Sequence, residues 1–237
     1  MLACDGRVML IDCGEYQQSE RVVRYLRKRG VERIDYLVAT HPHSDHMGGM
    51  AEIIYSFDIG EIIVPPLEDQ NIPTAVFYEK FLDACADKDC QLTEARIGDV
   101  MELGDARAEV IAPLKRCYED LNDSSVALMV RHGAESFLLT GDAEYASECE
   151  MLAGGKLHHV TVYKAGHHGS SSSSSAAFLS AVSPEIAVIS CGRDNPYGHP
   201  SEGVLMRLNW YTDTIFRTDK DGTVVIESDG KNVRRVE

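Results

Sequence analysis

The sequence predicts an α/β protein in which two mixed β-sheets pack together and helices cover both outer faces. Three observations lead there. Helix and strand patterns alternate along most of the chain. Hairpin patterns interrupt that alternation, which fits two mixed sheets better than a doubly wound parallel one. The 237 residues, 44% of them hydrophobic, suffice for one full core, and neither repeat nor linker divides them. One domain over residues 1–237 is therefore expected.

Arg7–Asp12 reads as the opening strand, turned by Cys13-Gly14. Ser19 is the expected cap of a helix whose apolar face carries Val22, Val23 and Leu26, with Gly30 just past its end. Ile34–Ala39 is a buried strand. A helix over Met50–Phe57 follows, then the strand Glu61–Val64, stopped by Pro65-Pro66. Thr74 caps the next helix, which runs to about Ala86. Gln91–Ala95 and Ala106–Ala112 read as strands, and Ser125–Arg131 with Ser136–Thr140 as a hairpin. The pattern continues with a helix Ala143–Ala153, a strand Val160–Ala165, a helix ending at Phe178–Val182 and a strand Glu185–Ser190. Val204–Trp210 is the last helix. Thr214–Thr218 and Thr223–Glu227 are expected to pair antiparallel through Asp219–Gly222. The serine tract 170–175 lies between a histidine pair and a helix, so a structured loop is expected there.

Chemistry concentrates in Thr40–Gly49, T-H-P-H-S-D-H-M-G-G, at the C-terminal end of the Ile34–Ala39 strand. His41, His43, Asp45 and His46 are four metal-capable side chains within six residues. Imidazole with carboxylate suits zinc, manganese or iron and not the all-oxygen shells of calcium and magnesium. Alternation places His41 and His43 on one side of extended backbone, where they can grip one ion. Asp45 and His46, past a bend, can hold a second. In L-L-T-G-D, Asp142 could cap the following helix or bridge two cations, and the bridging role is favoured beside the first motif. In G-H-H-G-S, consecutive histidines point opposite ways, so one can ligate metal while its neighbour faces substrate; the alternation does not fix which, and His168 is taken as the ligand with His167 beside it. Ser170 and the helix start after it offer groups suited to an anion. The loop S-C-G-R-D-N-P-Y-G-H-P contributes Arg193, Asn195, Tyr197 and His199 as substrate contacts, and Lys164 is a further anion contact.

Together H-x-H-x-D-H-x-G-G, N-D-S-S, L-L-T-G-D, G-H-H-G-S and N-P-Y-G-H-P, in this order, resemble the metallo-β-lactamase-like domain of ComEC-type competence proteins. The resemblance implies a four-layer αββα sandwich, a binuclear site at one edge and hydrolytic, nuclease or phosphodiesterase action. It passes ligand roles to His41, His43, Asp45, His46, Asp142 and one of His167/His168, and a loop-orienting role to Asp12. Two departures stand out. Asn122 occupies the place where many superfamily hydrolases carry a further histidine ligand. The chain also starts at the L-I-D segment, so the sheet is expected to lack its first edge strand.

A formal net charge of −15 excludes binding of nucleic acid through the general field. Seven cysteines without a C-x-x-C pair, and no visible signal peptide or membrane span, predict reduced thiols in the cytoplasm. The expected function is a hydrolase with two divalent ions, zinc or manganese before iron. Asp45, Asp142, His167 and His199 are its catalytic set, and Asn122 lies at the substrate. A phosphodiester substrate, either a small molecule or single-stranded nucleic acid, leads over a lactone, lactam or thioester. A non-catalytic metal-binding scaffold is the rival outside enzymology. A di-iron oxidoreductase would need a flavin segment that the chain does not show.

Overall fold

The computed structural model describes residues 1–236. One sheet carries β1 (Leu2–Cys4), β2 (Arg7–Ile11), β3 (Arg33–Val38), β4 (Asp58–Val64) and β5 (Leu92–Glu94) side by side in that order. β1 is antiparallel to β2 and the rest run parallel. The other sheet begins as an antiparallel meander: β6 (Val100–Leu103), β7 (Ala106–Ala112), β8 (Ala127–His132) and β9 (Glu135–Leu139). It continues in parallel with β10 (Val162–Lys164), β11 (Ile186–Ile189) and β12 (Ile215–Arg217). Both sheets are mixed, as the alternation with hairpins requires.

Period-two alternation builds the layers. In β2, Val8 and Leu10 face a cluster that also holds Leu26 of α1 (Ser19–Lys28), Met47 of α2 (Ser44–Met47), Ile53 of α3 (Met50–Ser56) and Phe81 of α4 (Val76–Asp87). Met9 between them faces the other sheet, packing in one cluster with Leu128 and Val130 of β8. Met129 of β8 points outward to α5 (Tyr145–Ala153), α6 (Ala176–Val182) and α7 (Glu202–Asn209), through Met151, Phe178 and Leu208. Two outer cores and one inter-sheet core make the αββα sandwich. Among the described residues no helix is long and apolar enough to cross a membrane.

The structure corrects several local expectations. β1 occupies the edge that was expected to be bare. Ser19 does not cap α1: a 3-10 turn over Tyr16–Gln18 runs straight into the helix, and the Ser19 hydroxyl donates to the Tyr16 carbonyl at 2.8 Å. Thr74 does not cap α4, whose extended N-cap residue is Ala75. Thr214–Thr218 and Thr223–Glu227 do not pair. Ile215–Arg217 instead extends the second sheet beside β11, and the chain then turns through α8 (Thr218–Asp221). β13 (Ile226–Ser228) pairs with β14 (Val233–Arg235). Parallel addition to a buried sheet edge covers more surface than a local hairpin, and tertiary context overrides the turn signal.

Candidate metal centre

The functional side chains collect where β2, β3, β9, β10 and β11 end. Asp12, just past β2, adopts φ +57°, a conformation aspartate tolerates better than most residues. This bend turns its carboxylate toward the β3 loop. Oδ1 accepts from the Thr40 N–H and Oδ2 from the Thr40 hydroxyl, both at 2.8 Å. Oδ2 also accepts from His46 Nδ1 at 2.6 Å. The expected loop-orienting contact is therefore present in the geometry, with Thr40 as an intermediary that sequence reading passed over. Its hydroxyl gives its proton to Asp12, so it accepts from His41 Nδ1 at 3.1 Å.

Asp45, His46, Asp142 and His168 each present a ligand atom within 4.8 Å of the others. His168 Nδ1 donates to the Ser190 carbonyl at 2.7 Å, while His46 Nδ1 is engaged by Asp12. With both Nδ1 atoms occupied, the two Nε2 atoms face each other at 3.2 Å. Each also faces Asp142 Oδ2, at 3.2 and 3.4 Å. Two acceptor nitrogens converging on a carboxylate call for a cation between them. The donor set fits a divalent metal on a further observation: Asp142 Oδ1 is buried with no hydrogen-bond partner.

The buried charges of the cluster act strongly on one another. Burial opposes charge on His46, but Asp12 and Asp142 outweigh it and raise its pKa to about 10. Burial likewise opposes charge on His168, and hydrogen bonds to Asp142 and Asp45 raise it to about 9. The bond from His168 lowers Asp45 to about 2. Asp142 is held far below the usual carboxylate range by His168 and His46, against the cost of its burial.

His41 and His43 form a neighbouring pair, with Nε2 of the first 3.1 Å from Nδ1 of the second. The His41 ring centroid lies 4.1 Å from that of His46. Burial is the main cause that lowers His41 to about 3, so it stays neutral and able to ligate. Four of the six residues expected as ligands, Asp45, His46, Asp142 and His168, thus gather in one cluster, and His41 and His43 stand beside it.

Glu144, missed in the sequence, gathers three side chains beside the cluster. Its Oε1 accepts from His167 Nδ1 at 2.8 Å and from the Ser172 hydroxyl at 2.6 Å, with the Asn122 amide at 3.5 Å. Glu144 stands two residues after Asp142, just past the turn closed by the Ala143 N–H on the Thr140 carbonyl, a placement that the sequence pattern does not signal. His167 Nε2 lies 3.8 Å from Asp142 Oδ2, and the His199 ring is 5.7 Å away. His167 and His168 both adopt left-handed backbone, φ 45° and 54°, which separates their rings.

Several expected substrate contacts turn out to hold the scaffold. Ser170 is buried and bonded to Ser172 at 2.8 Å. The helix start after the serines is already occupied by the buried Glu148, which accepts from the Ser174 and Ser175 N–H groups. Asn195 spends its side chain on its own loop, accepting from the His199 N–H at 2.9 Å and donating to the His199 carbonyl at 2.6 Å. Arg193 donates to the Asp219 carbonyl at 3.3 Å and bonds no member of the cluster. Asn122 is buried, with an unpartnered side-chain oxygen. Lys164 ends β10, and its charge opposes protonation of His168. Tyr197 is exposed and stacks on His199 at 5.8 Å. Asp142 does not cap α5. Asp123 does, accepting from the Glu144 and Ser147 N–H groups at 2.9 and 3.0 Å.

Known proteins agree with this architecture. The profile described as Metallo-beta-lactamase superfamily matches residues 2–193. ComE operon protein 3 of Bacillus subtilis (strain 168) is 30% identical over 88% of the chain, and Competence protein ComA of Neisseria gonorrhoeae 34% over 92%. The chain spans only 26% and 29% of their lengths. Among solved structures, Tm1679, titled a metal-dependent hydrolase of the beta-lactamase superfamily, superposes with TM-score 0.54 at 15% identity, covering 91% of either chain. The metallo-beta-lactamase fold protein YhfI of Bacillus subtilis also gives 0.54, at 9% identity, over 90% of this chain and 85% of its own. The chain belongs to the metallo-β-lactamase superfamily.

Proposed function

We propose that the protein is a binuclear phosphodiesterase acting on single-stranded nucleic acid or small phosphodiesters, with residues 1–237 working as one domain. The observation that carries the reading is Asp142: one carboxylate oxygen faces His46 and His168, and the other is buried without a partner. A carboxylate shared by two cations has this requirement. His41 and His43 would hold one ion, Asp45, His46 and His168 the other, and Asp142 both. Zinc or manganese suits this nitrogen and oxygen set.

Two bound divalent ions supply Lewis acidity and a water activated near neutral pH. The chain's own residues do the rest. Asp12 and the Ser190 carbonyl fix the tautomers of His46 and His168, keeping both Nε2 lone pairs aimed inward. Glu144 holds His167 through Nδ1, leaving Nε2 to give a proton to the leaving oxygen. His199, backed by Tyr197 and carried by the Asn195 loop, closes the same side. Names among the relatives, competence protein and Recombination protein 2, support a nucleic-acid substrate. The acidic chain weighs against long duplexes.

The test is reconstitution of metal-stripped protein with zinc, manganese or iron. Turnover is then measured on bis(p-nitrophenyl) phosphate, a single-stranded oligonucleotide, a lactone and a β-lactam. Metal-dependent cleavage of the first two is expected. Turnover of lactone or lactam alone would move the chain to another branch of the family, and tight metal binding without turnover would make it a scaffold.

A further inference from the structure

α1 carries an unusual concentration of positive charge for a chain of net charge −15: Arg21, Arg24, Arg27, Lys28 and Arg29 fall within nine residues, all exposed. Three of them, Arg21, Arg24 and Lys28, stand at i, i+3 and i+7, so they form one stripe along the helix. Among the described residues, none of the three has a hydrogen bond or ion pair. Glu20, placed four residues before Arg24, makes no pair with it. The three line a shared depression of about 500 Å³ with Gln17, Gln18, Tyr25 and one acidic residue, Glu20, so three positive charges there face one negative.

Helix stability does not explain the stripe. Cations in a last turn favour the helix dipole, which accounts for Lys28. Arg21 lies in the first turn, where positive charge is disfavoured, and Arg24 lies mid-helix, where the dipole gives it no support. Nor is α1 free to lie in a lipid surface by its apolar face, because Val23 and Leu26 are buried in the core under the first sheet. Among the described residues, the three cations of the stripe stand exposed and without an ion pair.

Its position ties it to the metal centre. The chain entering α1 packs on the metal loop: the Gly49 N–H donates to the Gly14 carbonyl at 2.9 Å, and Glu15 accepts from the Ser44 hydroxyl at 3.0 Å. A Cβ on Gly48 would meet the Tyr16 backbone nitrogen at 2.7 Å. The exposed ring of Tyr16 follows, with the Lys80 ammonium 4.9 Å from its centre. From Arg21 to Lys28 the helix rises about 10 Å, with the three cations about 4.5 and 6 Å apart along its axis.

We propose that α1 is a backbone-binding track for single-stranded nucleic acid. On this assignment Arg21, Arg24 and Lys28 neutralise successive phosphates, and Tyr16 offers a base a stacking face between the track and the metal loop. The proposal deepens the phosphodiesterase reading and rests on it. It adds a sequence-independent contact outside the ligand cluster, on a face the overall charge would leave repulsive.

The experiment measures binding of fluorescent single-stranded oligonucleotides of 3 to 12 nucleotides, by anisotropy across a salt series, on metal-stripped protein. The wild type is compared with a triple Arg21→Ala, Arg24→Ala, Lys28→Ala variant. A second triple variant, Lys88→Ala, Arg131→Ala, Lys231→Ala, removes the same charge elsewhere. The α1 variant is expected to bind about 10- to 100-fold more weakly and to lower the slope of log K against log salt by about 2, three contacts at ~0.7 each. The control variant should keep the wild-type slope. Tyr16→Phe should bind as wild type and Tyr16→Ala more weakly. Equal slopes for the α1 variant and the wild type would overturn the track. So would unchanged oligonucleotide binding combined with lost binding to phosphatidylserine vesicles, which would assign the stripe to a membrane surface. Wild-type turnover of bis(p-nitrophenyl) phosphate is scored separately, so a failed hydrolase reading and a failed track give different results.

Discussion

His167 and His168 are neighbours with different partners, and the difference predicts different failures. His168 Nε2 faces His46 and Asp142, whereas His167 Nδ1 is held by Glu144. His168→Ala should purify metal-deficient and recover activity in excess metal, because a ligand is lost. His167→Ala should stay metal-replete and turn over phosphodiesters with poor leaving groups about 10²–10⁴-fold more slowly, the scale of a lost general acid. With p-nitrophenyl leaving groups that defect should shrink. Metal analysis alongside turnover decides; the opposite metal contents would exchange the two assignments. Asp142→Ala should lose at least one metal equivalent and nearly all turnover, and full metal content with normal turnover would end its bridging role. The candidate ligands were legible as a group because four of them lie within one stretch and the others in two short motifs. Glu144 and Thr40 were not, because their roles depend on what the fold brings opposite them.

At the scale of elements, two buried carboxylates set strand and helix ends. Asp123 caps α5 from a distant segment, so Asp123→Ala should cost about 1–2 kcal/mol in urea unfolding. An unchanged midpoint would show that α5 needs no cap. Asp35, in β3, accepts from the Val8 N–H at 2.9 Å and from Arg7 at 2.7 Å, clamping β2 to β3. Burial opposes its charge, but the Val8 N–H and Arg7 outweigh it and hold its pKa below the usual value. The sign follows directly. A depressed carboxyl contributes stability that is present above its unfolded pKa of about 3.9 and lost as pH falls through the lower folded value. Asp35→Asn should therefore be destabilised at neutral pH, and the gap to wild type should close below about pH 3.9. A pH-independent gap would mean that shape and not charge makes the clamp. Strand and helix periodicity was readable here, and local caps were not. Ser19 and Thr74 carry the preferred residue types. A preceding 3-10 turn and an extended Ala75 determine the actual helix starts.

At the scale of the whole molecule, the metal centre is a seam. Asp12, His41, His43, Asp45 and His46 extend from the first sheet, and Asp142 and His168 from the second. Between the sheets lies a mainly aliphatic and methionine core, such as Met9 against Leu128 and Val130. Ions held by both sheets would bind only while the sheets are docked, so they stabilise the sandwich by mass action, about 2.7 kcal/mol at 100-fold excess over Kd. Chelation should lower Tm by several degrees, and restored zinc or manganese should reverse it. Hydrogen exchange should localise the loss, with amides at the C-terminal ends of β3, β9 and β10 gaining exchange together. His168→Ala, with the second sheet's nitrogen ligand removed, should show a smaller chelator effect than wild type. A Tm that ignores chelator in metal-loaded wild type would mean that the ions sit on one sheet alone. The shared carboxylate of Asp142 would then need another account.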